Sequence, residues 1–305
     1  MIAMRTFFEY KNSPKDLSIK ESASPKYTLF PKDKEELKQM INDEIKKHGN
    51  SADLNHIDVS KVKNLSKLFE HSKFNGDISE WNVSKVTNME SMFFDSAFDG
   101  DISNWDVSNV KNMSKMFCMC PAFNQDLSSW DVSKVTNMSG MFYFTKNFNQ
   151  DLSMWDVRNV TDMHYMFACS RFNGNLKKWS VGNVKDMSGM FLSCGAFDQN
   201  ISRWDVSSVT DMNNMFFECW QFNQDISNWD VSNVKDMRLM FHQCSSFNQD
   251  LSKWNVSNVK NMNSMFEECT AFNQDLSGWD VSNVKRMESM FDDCPCPKEY
   301  QPKFK

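Results

Sequence analysis

Apolar residues recur along this chain with a period of 24 or 25. Trp81, Trp105, Trp130, Trp155, Trp179, Trp204, Trp229, Trp254 and Trp279 mark the beat, Ile57 holds the same place in a degenerate first unit, and only Trp220 lies out of register. A unit this short cannot bury its own apolar face. The units must therefore stack, which predicts a solenoid of about ten coils with the in-register tryptophans as its core.

Residues 123–147, FNQDLSSWDVSKVTNMSGMFYFTKN, carry two apolar periods. Trp130 and Val132 are two apart, flanked by Leu127 and Val135, which predicts a short half-buried strand with Ser129 and Asp131 on the opposite face. Met138, Met141 and Phe142 follow at i, i+3, i+4, the stripe of a short helix or helical turn. The units of 24 lose their residue between this segment and the next Phe, where a loop absorbs deletions. Parallel stacking of such coils at about 4.8 Å predicts a right-handed α/β solenoid with one open sheet face.

Both ends break the pattern. In residues 31–48 Leu37, Met40, Ile41 and Ile45 form one stripe, acids come early, Lys46 and Lys47 come late, and Gly49 stops the run, so a capping helix is expected there. Residues 1–27 show no such pattern. At the far end Cys294, Pro295, Cys296 and Pro297 stop the repeat, and Tyr300 and Phe304 are placed to cover the last coil. The organisation is an N-terminal segment with its cap (1–50), a solenoid (51–294) and a tail (295–305).

Composition sets the class of function. With 10 Trp, 26 Phe and 23 Met against 9 Gly and 7 Pro the chain has ample core, and a net charge of −6 argues against non-specific nucleic-acid binding. Residues 1–11 contain Arg5 and Glu9 and no apolar run long enough for an export signal or membrane helix, so no membrane insertion is expected. The cysteines number nine and most recur once per coil, as Cys194, Cys219, Cys244, Cys269 and Cys294 do, with Cys120 and Cys169 at the matching places. This reads as a ladder of small buried thiols, since metal ligands must converge and a linear ladder does not.

The order Val206, Val209, Met212, Met215, Phe216, Cys219, Phe222, with the recurring phrase NQDLSxWDVSNV, resembles the BspA-like branch of leucine-rich repeats, in its 25-residue Trp-Asp-Val version. That version is found in bacterial surface proteins and mycoplasma lipoproteins, and the resemblance covers about Leu54 to Cys294. It implies a leucine-rich-repeat-like solenoid used in surface attachment or host-protein binding, with no chemistry of its own. The chain departs from that picture in lacking a signal peptide, a lipid-attachment Cys near its start or a wall anchor. A cytosolic or injected interaction scaffold is the alternative.

Several outward columns are candidate sites. Just after each Trp runs Asn82, Asp106, Asp131, Asp156, Ser180, Asp205, Asp230, Asn255 and Asp280, which is either a stripe for a basic partner or cation, or a set of Asx side chains bonding local backbone. Lys111, Lys185, Lys235, Lys260 and Lys285 stand further along each coil as possible compensation for its charge. Asp77, Asp101, Asp126, Asp151, Asp225, Asp250 and Asp275 precede the strand. Calcium needs six or more oxygens from a shaped loop, and the glycine-rich nonapeptide of calcium-binding solenoids is absent, so turn formation explains this column more simply. Asn or Asp after each Phe, from Asn75 to Asn273, is expected to form an internal coil-to-coil ladder. The column that varies lies just before Trp, and Lys178, Arg203, Asn228 and Lys253, with the neighbouring Asp205 and Asp230, are the expected protein-binding residues. His48, His56, His71, His164 and His242 form no triad and no phosphate loop is present, so the chain reads as a non-enzymatic, cofactor-free, metal-free binder of another protein.

Overall fold

The structure, a computed structural model, describes residues 26–304; the expectations for the first 25 residues lie outside it. The N-terminal cap forms as its sequence dictates, with α1 at Lys34–His48. The Asp33 side chain accepts from the Glu36 N–H at 2.9 Å, Glu35 and Glu36 sit in the first turn and Lys46, Lys47 and His48 in the last. Gly49, at φ 85°, ends the helix with its N–H on the Ile45 carbonyl at 2.8 Å. Leu37 and Ile41 are buried, Met40 and Ile45 pack beside them, and Leu29 pairs with Ile57, so the segment closes the first coil.

Beyond α1 the coils stack in sequence order. Parallel bridges join Asn64 to Asn88, Asn88 to Asn112, Asn112 to Asn137, Asn137 to Asp162 and onward as far as Asn261 and Arg286. Most in-register indoles run nearly parallel to the next, as with Trp204 and Trp229 at 6.4 Å and 1°, and each in-register ring N–H reaches back to the preceding coil, Trp130 Nε1 to Ile102 O at 3.1 Å for example. Phe117 stacks on Phe123 of its own coil at 3.9 Å and on Phe142 of the next at 5.7 Å. The core is a continuous rod of Trp, Met, Phe and Val.

The secondary structure of each coil differs from the expected strand plus helix. Among the described residues the regular elements are α1 and a turn of 3₁₀ helix at Lys298–Tyr300; the coils themselves are made of turns. Leu127 to Trp130 closes with Trp130 N–H on Leu127 O at 3.1 Å, and Val132 to Val135 closes with Val135 N–H on Val132 O at 2.9 Å. Two corners, not an extended strand, therefore turn Trp130 and Val132 inward. The parallel pairing sits instead at Asn137, on the far side of the second corner.

The methionine segment is likewise not a helix. Met141 N–H bonds Met138 O and Thr145 N–H bonds Phe142 O, both at 3.1 Å, forming two four-residue turns placed end to end. Their third residues, Gly140 and Phe144, are left-handed at φ 58° and 56°, as in type II turns. Ends of turns point in and corners point out, so two abutting turns bury i, i+3, i+4 and i+7, the spacing of one helical stripe. The N–H groups of Met138, Gly140, Phe142 and Phe144 bond carbonyls of Asp162, His164, Met166 and Ala168 on the next coil at 2.8–3.0 Å, where a helix would have used its own carbonyls.

The tail lies on the last coil through its backbone, Cys296 and Phe304, while the Tyr300 side chain, expected to cover that coil, is exposed. Leu276 N–H donates to Tyr300 O at 2.8 Å, Cys296 is buried and Phe304 packs against the core.

Candidate functional site

The Asp and Asn columns resolve as local turn chemistry. Ser133 N–H donates to Asp131 Oδ1 at 3.0 Å and Ser232 N–H to Asp230 Oδ1 at 3.0 Å, while Asn82 and Asn255 make the same bond from the same column at 3.2 Å. The column before it behaves alike, with Ser128 N–H on Asp126 and Ser202 N–H on Asn200. Hydrogen bonds from the serine two residues on hold the carboxyls of Asp126, Asp131, Asp225, Asp230 and Asp250 below the usual range. The columns select an oxygen acceptor and accept either a charged or a neutral one. The Asx after each Phe forms the expected ladder, with Asn124 N–H on Asp99 Oδ1 and Asn149 N–H on Asn124 Oδ1 at 3.0 and 3.1 Å, but it runs along the exposed side of the coils and not internally.

The residues expected to bind a partner, Lys178, Arg203, Asn228, Lys253, Asp205 and Asp230, are all exposed on one side of the solenoid. That side is a row of Asx-capped corners instead of an open sheet. Met154 is its one large exposed apolar group, with Lys178 Nζ at 3.6 Å from its sulfur.

A second face is less uniform. The two turns of the methionine segment point four residues per coil outward, and the last two of these change character along the solenoid. The first coil presents Glu70 and His71 and the last two present Glu267, Glu268, Asp292 and Asp293. The coils between them present Phe94, Tyr143, Leu192 and Phe217 in the first of these two columns and Met119 and Phe144 in the second, where Asp95, Ser193 and Glu218 also stand. Met119 and Phe144 are exposed, and Trp220, the out-of-register tryptophan, is 54% exposed just beyond them.

Two clefts indent this face. One, of about 610 Å³, opens where Gly140 leaves a gap between Lys115 and Tyr165, and is lined by Phe94, Met119, Tyr143 and Leu192. His164 stands at its edge with Nδ1 at 2.7 Å from Asp162 Oδ1, a hydrogen bond that raises the imidazole pKa. Asp186 of the next coil brings a third potential ligand atom within 4.8 Å of those two. The metal-free reading of the sequence did not include this trio, because it is assembled across coils. One oxygen of each carboxylate is engaged, Asp162 Oδ1 with the His164 backbone and ring and Asp186 Oδ1 with Ser188.

The other cleft, of about 500 Å³, is bounded by Lys146, Arg171 and Trp220. These three stand in one column with Gly195 between the last two. The indole lies flat over Gly195, where a Cβ would meet ring carbon Cε3 at 2.6 Å, so the glycine permits the ring to rest on the backbone.

The thiols are free and structural. Cys219, Cys244 and Cys269 donate to the Phe191, Phe216 and Phe241 carbonyls of the preceding coil at 2.8–3.0 Å, and Thr145 fills the column with the same bond to Phe117 O. Burial pushes Cys194 and Cys118 up to about 12. Cys169 is not in this ladder: Ser170 holds the matching place, 3.6 Å from Cys194 Sγ, and Cys169 sits at the left-handed corner before it. The other histidines pair with carboxylates, His71 with Asp95, His242 with Glu267, and His48 and His56 with Glu44.

Three overlapping segments, residues 35–143, 122–216 and 193–302, match the family model described as "Mycoplasma protein of unknown function, DUF285". No curated protein matches the chain. Among solved structures it is similar to a plant peptide hormone receptor, RGFR1, in complex with RGF2, at 8% identity and a TM-score of 0.20 over 74% of this chain and 41% of that one. It is also similar to TLR13 in a complex with ssRNA13, at 8% identity and a TM-score of 0.17 over 73% and 46%. The chain spans less than half the length of either, and at such scores neither likeness defines the fold. No helix among the described residues is long and apolar enough to cross a membrane.

Proposed function

The chain belongs to this Mycoplasma repeat family, whose function is unknown, and from that premise we propose that it is a non-enzymatic protein-binding solenoid that engages its partner through the turn face of its middle coils. One observation carries this reading. One outward column runs Glu70, Phe94, Cys118, Tyr143, Ala168, Leu192, Phe217, His242, Glu267, Asp292, apolar through its middle and acidic at its ends, and Met119 and Phe144 of the column beside it add to the patch among polar neighbours such as Asp95 and Glu218. Turn geometry alone asks only for a tolerated left-handed corner, so it gives no reason for that change. An exposed apolar patch with charged margins is the usual form of an interaction surface. The resemblance to BspA-like repeats makes surface attachment or host-protein binding the setting of choice, with an intracellular scaffold as the alternative.

The side bearing Lys178, Arg203, Asn228 and Lys253 is the second candidate, favoured by the exposed Met154 beside Lys178. A photocrosslinking residue placed at Phe144 or Met119, and in parallel at Lys178 or Lys253, separates the two. Discrete adducts from the first pair support the turn face, and adducts from the second pair alone move the site to the opposite side. Adducts from neither, on host cells and within the source cell, end the protein-binding reading. Protease access to the untagged protein on intact cells distinguishes surface from interior.

A further inference from the structure

The Trp220 cleft has a chemistry distinct from the rest of the turn face. Lys146 and Arg171 stand on successive coils of one column and are both exposed. Lys146 Nζ lies 4.6 Å from the centre of the Phe144 ring, and Arg171 makes no ion pair or side-chain hydrogen bond among the described residues. On a chain of net charge −6, two adjacent cations without a carboxylate partner, set against an exposed indole, form a local inversion of charge. The one nearby acid in the neighbouring corner column, Glu218, is turned to the Ser193 hydroxyl at 2.6 Å.

The indole rests on Gly195, where no Cβ lifts it from the backbone, and the order Lys146, Arg171, Gly195, Trp220 spans three coil steps, roughly 14 Å at the usual spacing of parallel backbones. That length fits a few residues of extended peptide. A guanidinium and an ammonium on one side recognise carboxylates, and an indole on the other recognises an apolar or aromatic side chain.

We propose that this cleft binds an acidic segment of a protein partner, with a carboxylate seated between Lys146 and Arg171 and an apolar side chain against Trp220. The proposal rests on the protein-binding reading above and names the partner's chemistry. A nucleic acid fits less well. Two cations cannot offset the repulsion between a phosphate backbone and the flanking acidic coils.

The test is a titration of the full chain with acetyl-Glu-Glu-Phe-Glu-Glu-amide, followed by calorimetry and by iodide quenching of the exposed tryptophan. The peptide acetyl-Lys-Lys-Phe-Lys-Lys-amide and a short oligothymidylate serve as comparisons. The acidic peptide is expected to bind and to shield Trp220 from iodide, and Arg171→Glu or Lys146→Glu to weaken binding about ten-fold, the effect of losing one charge-assisted contact. Trp220→Ala should remove the quenching change, and Lys38→Glu, exposed on α1 and in no candidate site, should alter nothing. Equal binding of the basic peptide, tighter binding of the oligothymidylate, or affinity for the acidic peptide that is unchanged in Arg171→Glu each overturns the proposal. If the peptide does not bind while crosslinks from Phe144 persist, the acidic-segment proposal fails and the broader reading stands. Loss of those crosslinks with peptide binding intact is the reverse case.

Discussion

In these columns the backbone N–H two residues on, a serine's in most coils, is accepted by Asp in one coil and Asn in another, Asp131 and Asn82 or Asp126 and Asn200. What the coil requires there is an oxygen, and the charge is incidental. The carboxylates nonetheless tie the fold to pH. Their folded pKa values lie below the unfolded value of about 3.9, so they contribute stability above that pH and lose it as pH falls through the folded values. Between pH 7 and 5 this contribution is flat, and acid unfolding begins below about pH 4. Replacing Asp126, Asp131, Asp225, Asp230 and Asp250 by Asn should leave the unfolding midpoint at pH 7 nearly unchanged and reduce its fall at pH 3. Tryptophan emission against urea at the two pH values measures this. An equal fall in both proteins would show that these side chains do not link the fold to acid.

At the scale of the element, the stacked turns explain both what the sequence told and what it concealed. The repeat, the buried Trp, Met, Phe and Val columns, the capping helix and the loop that absorbs deletions were legible, because each follows from which residues face inward. The backbone was not. A helical stripe and two abutting turns bury the same positions, and the sign of φ that separates them carries no residue signature here. The left-handed corners are filled by Lys67, Tyr165, Leu239, Gln243 and others, with Gly only at 140 and 189. Reading the segment as a helix also hid the turn face, whose apolar run is visible once the corners are known to point outward. Trp220, breaking register, was the one sequence signal of it.

Those corners hold strain that substitution can reveal. A left-handed non-glycine residue costs about 1–2 kcal/mol, and the coil-to-coil hydrogen bonds, about 1 kcal/mol each, offset it. Leu239, at φ 57°, should therefore gain from Leu239→Gly, by up to about 1 kcal/mol after the extra flexibility of the unfolded chain is counted. Gly140→Val places a β-branched residue at φ 58° with Lys115 Cγ already 3.4 Å from its Cβ, and should lose more than about 1 kcal/mol. Chemical unfolding of both variants reads the two signs. A loss on Leu239→Gly would mean that its side-chain packing outweighs the strain.

For the whole molecule, stability in a linear stack is a sum of coil terms and interfaces between neighbours, so a middle coil and an end cap have different consequences. Deleting residues 229–253 removes one full coil from Trp229 to Lys253 and sets Asn228 directly before Trp254, preserving every column. The excised coil contains the left-handed Leu239 and His242, whose buried Nδ1 lacks a hydrogen-bond partner and faces Glu267 at 3.5 Å. Its loss thus removes one interface along with strained and poorly satisfied groups, and the shortened protein should stay folded, with an unfolding midpoint close to that of the full chain. Deleting residues 31–49 removes α1, whose Leu37 and Ile41 belong to the same buried cluster as Leu54 and Ile57, and so opens the core at the first coil. An uncovered solenoid end recruits other chains, so this variant should aggregate, seen by light scattering, at concentrations where the coil deletion does not. If the coil deletion aggregates and the cap deletion stays soluble, the stack is not additive and the end cap is not what keeps this solenoid discrete.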